Sequence, residues 1–261
     1  MSINNKKSDS HVQSLARAFE LLEVLSMEKQ DLSLTEIALR LKWPKSTVHG
    51  LLSTLRDYRY VDQSAINGRY RLGLRLFELG HKVAQNWDIR STALPIMQKL
   101  NRQYGEMVQL ATEDVGDVFY IEKVDSTQII KIVSEIGARL PIHCSALGKV
   151  LLAYMPINDV RIILNRKGLV RMTKNTITEI EDLEMELSKI REQGYSFDDQ
   201  EIMEGLRCVA APIYDMNGEV HYAVSISAMA DRLIDDYFEK VKHSVILAAQ
   251  EISYNMGYRN R

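Results

Sequence analysis

The sequence predicts an α+β protein with two domains: a small helical domain closed by a β-hairpin, and a larger domain with an antiparallel sheet. Three observations predict this fold. Residues 33–57 repeat apolar side chains at helical spacing on both sides of Pro44. Residues 60–72 have the pattern of a strand, an Asn-Gly turn and a second strand. Beyond residue 88, helical and strand-like segments alternate without parallel-sheet regularity, and a length of 261 residues suits two domains.

The first domain is expected to begin with a helix after a disordered segment at residues 1–10. The helix is predicted by apolar residues spaced three and four apart: Val12, Leu15, Phe19, Leu22 and Leu25. Ser33 and Glu36 have the spacing of a capping box, in which each side chain satisfies the other residue's free amide. A second helix therefore starts at residue 34, and Pro44 opens a third, because a first-turn proline needs no amide proton.

The third helix has an apolar stripe and an opposite face of small polar residues, which suits a DNA major groove. The stripe comprises Val48, Leu51, Leu52 and Leu55. On the opposite face, Ser46, His49 and Ser53 are expected to meet base edges. Including the flanking residues and one arginine of the hairpin, the predicted DNA contacts are Lys45, Ser46, Thr47, His49, Ser53, Arg56 and Arg69. The alternative is an ordinary three-helix core with a solvated basic hairpin.

The hairpin directly after this helix completes a winged helix-turn-helix. Residues 60–62 form its first strand, Asn67-Gly68 is a strong turn signal, and residues 69–72 return as the second strand. Arginines flank the tip, so the hairpin is suited to lie beside a phosphate backbone. Charge supports this location: residues 1–75 carry twelve basic and eight acidic side chains, whereas the rest carries 21 and 27. A basic DNA-binding domain on an acidic body is therefore predicted.

The predicted domain boundaries are 1–73 for the winged helix-turn-helix, 74–88 for a helical connector and 89–261 for the second domain. In the second domain, helices are predicted at Leu94–Tyr104, Gly148–Met155, Asp159–Asn165, Glu179–Gln193 and Asp235–Met256. Strands are predicted at Met107–Thr112, Val118–Val124, Ile129–Ile136, Cys208–Tyr214 and Val220–Ala228. The mixture of hairpins and separate helices is typical of a sensor domain of the α+β class.

Several features limit the class of protein. The polar N-terminus lacks the apolar stretch of a signal peptide, and no apolar run approaches the roughly 20 residues of a membrane span. Two cysteines do not make a disulfide framework, so a reducing cytoplasm is expected. No cofactor motif or metal-ligand spacing is present among the patterns considered, and neither a cofactor nor a metal is expected.

Uncommon strings along nearly the whole chain resemble the IclR family of bacterial transcriptional regulators. The N-terminal strings are SLTEIALRLKWPKSTVHGLLSTL and YRLGLRLFELG. The C-terminal strings are GARLPIHCSALGKVLLAYM, IREQGYSFDDQEIMEGLRCVAAPIYDMNGEV and AVSIS. Within the family, EKVDS and EGLRC are most similar to the subgroup that regulates the catabolism of sugar acids such as 2-keto-3-deoxygluconate.

The resemblance implies a ligand-responsive regulator, expected to be a repressor, that binds operator double-stranded DNA. A homodimer or homotetramer is expected because the connector carries apolar residues without an obvious partner, Leu74, Phe77 and Leu79. It also implies a GAF/PAS-like domain with a pocket for a small carboxylate effector. The family's ligand residues fall on Ala146, Leu147, Asp198, Leu206, Cys208, Ser225 and Ser227. Amides at a helix start bind anions, and Ser225 and Ser227 lie on one face of a strand. This chain departs from the family's usual residues at three places. It has Gly50 where Arg is frequent, Lys42-Trp43 where Gly-Leu is usual, and Arg59 where Gly is usual.

Two other classes of function are weighed against a regulator. An enzyme acting on a small carboxylic acid, with a vestigial DNA-binding domain, would need Cys208 as nucleophile with His143 or His221 as base. No motif of acyl transfer accompanies that cysteine, and a buried small side chain is favoured. A DNA-binding protein whose second domain only oligomerises would have its pocket filled by bulky side chains.

Overall fold

A computed structural model describes residues 12–28, 30–85, 88–128 and 135–259. The chain forms two compact units, one ending at residue 86 and the other beginning at residue 87. The predicted disorder of residues 1–10, and residues 129–134 of the predicted strand 129–136, lie outside the described residues. None of the described helices is long and apolar enough to cross a membrane.

The first unit has three helices, a two-stranded hairpin and a final helix. Its elements are α1 (Gln13–Ser26), α2 (Leu34–Leu41), α3 (Lys45–Asp57), β1 (Val61–Gln63), β2 (Tyr70–Leu72) and α4 (Leu74–Gln85). Ser33 and Glu36 form the predicted capping box at the start of α2. The antiparallel strands β1 and β2 pair Val61 with Leu72, so residues 61–72 form the predicted wing.

Two residues of the first unit have a left-handed backbone where the family usually has glycine. Lys42, after α2, has φ of 56°, and Arg59, after α3, has φ of 62°. A residue with a Cβ atom pays about 1–2 kcal/mol for this conformation. Both turns therefore have the left-handed backbone that glycine adopts most easily, although neither residue is a glycine.

The second unit is a six-stranded antiparallel sheet with helices on both faces. The helices are α5 (Asp88–Tyr104), α6 (Ala146–Ala153), α7 (Ile157–Lys167), α8 (Ile180–Gln193) and α9 (Asp235–Asn255). The strands are β3 (Met107–Asp114), β4 (Asp117–Val124), β5 (Arg139–Pro141), β6 (Ser196–Asp199), β7 (Leu206–Tyr214) and β8 (Val220–Met229). Their order across the sheet is β5-β4-β3-β8-β7-β6.

Each face of the sheet has its own apolar core. Helices α5 and α9 cover one face, where Val224 and Ile226 of β8 are buried. Helices α6, α7 and α8 pack on the other face, around residues such as Ala210 of β7. Successive strand residues point to opposite faces, so Ser225 and Ser227 lie on the second face, under α6. The sheet face under α6 therefore carries hydroxyl groups as well as an apolar core.

The predicted hairpin of the second domain is confirmed as β7 and β8, and the predicted final helix as α9. The prediction began α5 at Leu94 and α6 at Gly148, whereas these helices start at Asp88 and Ala146. The predicted start of α5 at Leu94 is one residue before Pro95, which lies inside the helix. The short strands β5 and β6 were not predicted, because three or four residues are too few to show a periodic pattern.

Candidate functional site

A cavity of about 400 Å³ lies between α6 and the sheet of the second unit. Seven of its lining residues are those that the resemblance assigned to a ligand: Ala146, Leu147, Asp198, Leu206, Cys208, Ser225 and Ser227. The remaining eight lining residues were not predicted from the sequence to contact a ligand: Gln109, Tyr120, Glu135, Ala138, Leu140, Ser145, Ile202 and Met203. The described side chains do not fill this volume, which argues against a second domain that only oligomerises.

The floor of the cavity is a row of polar side chains that crosses neighbouring strands. Asp198 on β6 lies opposite Cys208 on β7, and Cys208 lies opposite Ser227 on β8. One step along the same strand face, Ser225 lies opposite Gln109 on β3. Residues at paired positions point to one face of a sheet. Strand register therefore brings together residues that are far apart in the sequence.

One wall of the cavity is the start of helix α6. Ser145 caps this helix, since its hydroxyl accepts a hydrogen bond from the Gly148 amide at 3.1 Å. The amides of Ala146 and Leu147 belong to the first turn, where no carbonyl one turn earlier can accept them. A Cβ atom on Gly148 would lie 2.0 Å from the Ile142 carbonyl oxygen. Glycine at this position therefore lets α6 approach the preceding segment closely.

Two buried oxygen atoms at the cavity have no hydrogen-bond partner. They are Oδ2 of Asp198, a fully buried residue, and Oγ of Ser225. Burial raises the pKa of the Asp198 carboxyl to about 7, and the nearby Glu201 carboxylate adds to the effect. Leaving a buried polar atom unpaired costs about 1–3 kcal/mol. A ligand that supplies partners to both atoms would recover that cost.

The other polar atoms of the floor are already paired with one another. The Ser227 hydroxyl contacts Gln109 Oε1 at 2.8 Å and Cys208 Sγ at 3.0 Å. Gln109 also hydrogen-bonds the phenol of Tyr120. Burial raises the pKa of the Cys208 thiol well above its usual value, so the thiol stays protonated at neutral pH. This is the packing role expected of a buried thiol, not that of an activated nucleophile.

The histidines considered as bases are engaged elsewhere. The His143 ring is 3.1 Å from the Val170 carbonyl oxygen, and burial lowers the pKa of that imidazole. His143 therefore packs against the segment at Val170 and does not line the cavity. His221 lies on an exposed hairpin next to Glu219, at 3.2 Å. Neither ring is among the residues that line the cavity around Cys208.

A buried ion pair supports the loop that follows Asp198. The Glu201 amide donates to Asp198 Oδ1 at 2.7 Å. The Glu201 carboxylate pairs with Lys149 of α6, which is 1% exposed. The Thr176 hydroxyl donates to the Glu201 carbonyl at 2.7 Å. No local pattern in the sequence marks Glu201 as part of a buried ion pair, since its partner is 52 positions away.

In the first unit, the polar face of α3 is open to solvent. Lys45, Ser46, His49 and Arg56 are exposed, whereas Thr47 and Ser53 are half-buried. Val48 and Leu52 are fully buried on the opposite side, as the apolar stripe predicts. Gly50 is also exposed, and a Cβ atom there would have no neighbour within 4 Å. The helix therefore presents a small polar surface that another molecule can approach.

Arg69 of the wing has intramolecular partners. Its guanidinium donates to the Asp31 carbonyl at 2.7 Å and to the Glu36 carboxylate at 3.0 Å. The capping contacts with Ser33, followed by Arg69, lower the pKa of Glu36. Arg69 therefore ties the wing to the start of α2, and a phosphate contact by this residue stays a prediction.

Comparison with known proteins connects the two sites. Residues 14–65 match the IclR helix-turn-helix domain, and residues 81–254 match the C-terminal domain of the bacterial transcriptional regulator IclR. The chain belongs to the IclR family of bacterial transcriptional regulators. It is 37% identical to the Escherichia coli HTH-type transcriptional regulator KdgR over 256 residues, 98% of this chain and 97% of that relative.

Solved structures of IclR proteins have the same fold. Thermotoga maritima IclR, 33% identical, superposes with a TM-score of 0.80 over 95% of this chain and 100% of its own. An IclR homologue from Microbacterium hydrocarbonoxydans in complex with 4-hydroxybenzoate is 27% identical, with a TM-score of 0.82 over 93% and 98% of the two chains. This IclR-family protein is therefore a DNA-binding transcriptional regulator and not an enzyme.

Proposed function

We propose that this IclR-family regulator binds a small carboxylic acid in the cavity under α6, and that binding changes the affinity of an oligomer for its operator. The observation that carries the proposal is the cavity itself, which combines helix-start amides with two unpartnered buried oxygens, Asp198 Oδ2 and Ser225 Oγ. Anions favour helix starts, and a few convergent polar groups in an apolar pocket are typical of ligand sites.

In this proposal, the effector carboxylate binds the amides of Ala146 and Leu147. Hydroxyl or keto oxygens of the effector then meet Asp198, Ser225 and Ser227. The carbon chain rests on Leu206 and Cys208, which line the same cavity. The resemblance to the sugar-acid subgroup favours a 2-keto or sugar acid, and repression of the operon that degrades that acid is the regulatory outcome that fits.

The proposed DNA interface is the polar face of α3 together with the wing. Ser46, His49 and Ser53 face base edges of the major groove, with Thr47 beside them. Lys45, Arg56 and Arg69 contact phosphates. The exposure of the α3 residues supports this assignment. A helix in the major groove flanked by phosphate contacts is the usual arrangement of helix-turn-helix proteins.

The regulator is further proposed to act as a dimer or tetramer on a palindromic operator. Exposed apolar side chains on α1 and α4 support assembly: Val12, Leu15, Phe19, Leu74 and Phe77. Two DNA-binding domains must lie about 34 Å apart, or a multiple of that, to reach successive major-groove faces. With domains at 1–73 and 89–261, the connector 74–88 transmits the effect of effector binding to the DNA-binding domain. The effect is a shift between two arrangements of the oligomer.

Calorimetry tests the proposal with three acids: pyruvate, 2-keto-3-deoxygluconate and 4-hydroxybenzoate. At least one is expected to bind, and Ser225→Ala and Asp198→Ala are expected to weaken that binding. The same acid is expected to change retention of the protein on its own upstream DNA in a gel-shift assay. If both variants bind an acid as tightly as wild type, the ligand lies elsewhere. If no acid binds or shifts the DNA complex, the proposed class of effector is wrong.

A further inference from the structure

Three buried ionisable side chains, two acids and one cation, lie together behind the cavity floor, and Asp198 is the one of the three that lines the cavity. Asp198 is 0% exposed, Glu201 is 7% exposed and Lys149 is 1% exposed. Buried charges are costly unless an opposite charge or hydrogen bonds compensate them. One ammonium group cannot fully compensate two carboxylates, so the contacts of Lys149 decide which acid keeps its charge.

Lys149 is committed to Glu201. Its ammonium group donates to the Glu201 carboxylate and, at 2.7 Å, to the Phe197 carbonyl. The second carboxylate within reach is Glu186, at 3.9 Å. The ion pairs of Lys149 among the described residues do not include Asp198. Asp198 instead receives the Glu201 amide on Oδ1 and has no partner on Oδ2.

The thiols and the phenol near Asp198 stay protonated around pH 7, whereas Glu201 is paired with Lys149. Cys144, which precedes α6, has its thiol pKa raised to about 12 by burial. Burial also raises the pKa values of Cys208 on β7 and Tyr120 on β4, with the Asp198 carboxylate contributing to both. Burial raises the pKa of Glu201 as well, but the Lys149 ammonium opposes that shift. Asp198 is therefore the acid without its own cation.

We propose that Asp198 binds the effector as a neutral carboxylic acid, so that the effector and one proton bind together. The proposal rests on the proposed function of the cavity. The acid donates a hydrogen bond from Oδ2 to a keto or carboxylate oxygen of the effector. An ionised Asp198 would instead repel that oxygen, because a carboxylate has no hydrogen to donate and both oxygens are negatively polarised in a buried site.

The direction of the pH effect follows from this linkage. A group that must be protonated in the complex makes affinity highest below the pKa of the free group. The pKa of Asp198 is raised to about 7. Effector affinity is therefore constant at low pH and falls by up to about tenfold for each pH unit above neutrality. The effector that fits is an acid with an acceptor oxygen at its inner end, such as a 2-keto acid.

The first test uses the effector-free protein. Carbon-13 NMR of protein labelled at aspartate carboxyls follows each titration, and the signal lost in Asp198→Asn identifies Asp198. Its midpoint is expected near neutrality. Glu201→Gln is expected to move that midpoint to lower pH, because it removes a negative neighbour and leaves Lys149 to act on Asp198. A midpoint near that of ordinary aspartates, about 3.9, would overturn the proposal without any ligand.

The second test measures the binding of 2-keto-3-deoxygluconate and pyruvate between about pH 6 and pH 8. Calorimetry in buffers of different ionisation enthalpy counts the protons taken up, and about one is expected at the upper end. Asp198→Asn keeps the shape and a neutral donor, so it is expected to bind about tenfold more tightly than wild type at pH 8. Glu201→Gln is expected to bind more weakly than wild type at pH 7.

These results separate the inference from the proposed function. Binding without proton uptake, or an Asp198→Asn variant that binds poorly at every pH, would show that Asp198 acts as an ionised acceptor. The cavity would then still be the effector site. Absence of binding by either acid would count against the proposed effector class, while the NMR titration would still decide the state of Asp198. Circular dichroism confirms that each variant is folded.

Discussion

The polar face of α3 and the floor of the cavity use similar residue types in opposite surroundings. On α3, Lys45 and Ser46 are exposed to water. In the second unit, Lys149 of α6 and Ser225 on the cavity floor are about 1% exposed, and the Ser225 hydroxyl lacks a partner. An exposed charge is screened by salt and costs little to remove. A buried one interacts strongly and is costly to leave unpaired.

The difference suggests what each site can sense. A solvated basic surface draws its affinity from releasing counterions, so its binding depends on salt and acts before any sequence is recognised. A desolvated cavity draws its affinity from a few hydrogen bonds that must all be satisfied, so its binding depends on ligand chemistry and pH. A DNA-binding surface and a ligand cavity of these two kinds would therefore respond to different changes in solution.

The largest expected effect comes from replacing a lysine with methionine, in one variant in the second unit and in another on α3. Lys149→Met leaves Glu201 as an unpaired buried charge, and it is expected to destabilise the second unit by about 3–5 kcal/mol. Lys45→Met, the matched control on exposed α3, is expected to leave unfolding almost unchanged and to weaken DNA binding. Denaturant unfolding and hydrogen exchange of β7 and β8 measure the contrast. Equal stability of the two variants would show that the pair of Lys149 and Glu201 carries no buried charge.

The next comparison concerns two arginines of the wing. Arg69→Ala is expected to weaken binding to all DNA sequences alike and to lower the salt slope of affinity by about one unit, as the loss of a phosphate contact should. Arg71→Ala is the control, since Arg71 lies on β2, two residues after Arg69, and its ion pair is a longer one with Asp31, at 3.8 Å. A loss of affinity with an unchanged slope would mean that Arg69 acts by holding the wing on α2.

Ser225→Ala is expected to have effects of opposite sign on stability and binding. The substitution removes an unpartnered buried hydroxyl, so stability without effector is expected to be unchanged or slightly higher. Effector affinity is expected to fall by about 1 kcal/mol, because a bound oxygen loses its partner. Ser196→Ala is the control: its hydroxyl donates to the Ala146 carbonyl at 2.8 Å, so stability itself should fall. Thermal unfolding and calorimetry give both quantities, and equal behaviour of the two variants would contradict the assignment.

The smallest expected effect separates propensity from contact on α3. Gly50→Ala is expected to stabilise the first unit by up to about 1 kcal/mol, since glycine is unfavourable inside a helix and a Cβ atom meets nothing within 4 Å. Gly80→Ala on α4 is the control, because Gly80 has the same open space. If DNA approaches the α3 backbone closely, Gly50→Ala alone should weaken operator binding in a gel-shift titration. Equal DNA affinity of both variants would show that Gly50 makes no close approach.

Features with local patterns could be predicted from the sequence, and features set by strand register could not. The capping box at Ser33 and the hairpin of β7 and β8 follow from residues close in the chain. Tyr120 and Gln109 were not singled out, because their place on the floor depends on which strands are neighbours in the sheet. The predicted ligand residues came from the family resemblance, which implies the fold and therefore which residues lie close together.

The features that were not predicted from the sequence also have physical causes. Strand β6 carries Asp198 in four residues, too short for a period. The pairing of Lys149 with Glu201 joins a helix to a distant loop, and no local pattern marks either residue as buried. The left-handed backbone at Lys42 and Arg59 was also invisible in the residues themselves, because lysine and arginine rarely adopt it.

Strand β8 carries the hydroxyls of the cavity and the side chains of the opposite core in strict alternation. A shift of this strand by one position would exchange Ser225 and Ser227 for Val224 and Ile226, and bury the serines against α9. The register of β8 is fixed on both sides, by its pairing with β7 and by its pairing with β3. These backbone pairings therefore determine whether the protein presents alcohols or hydrocarbon to the cavity. A one-residue slip of β8 would change the chemistry of the cavity without altering a single residue of the sequence.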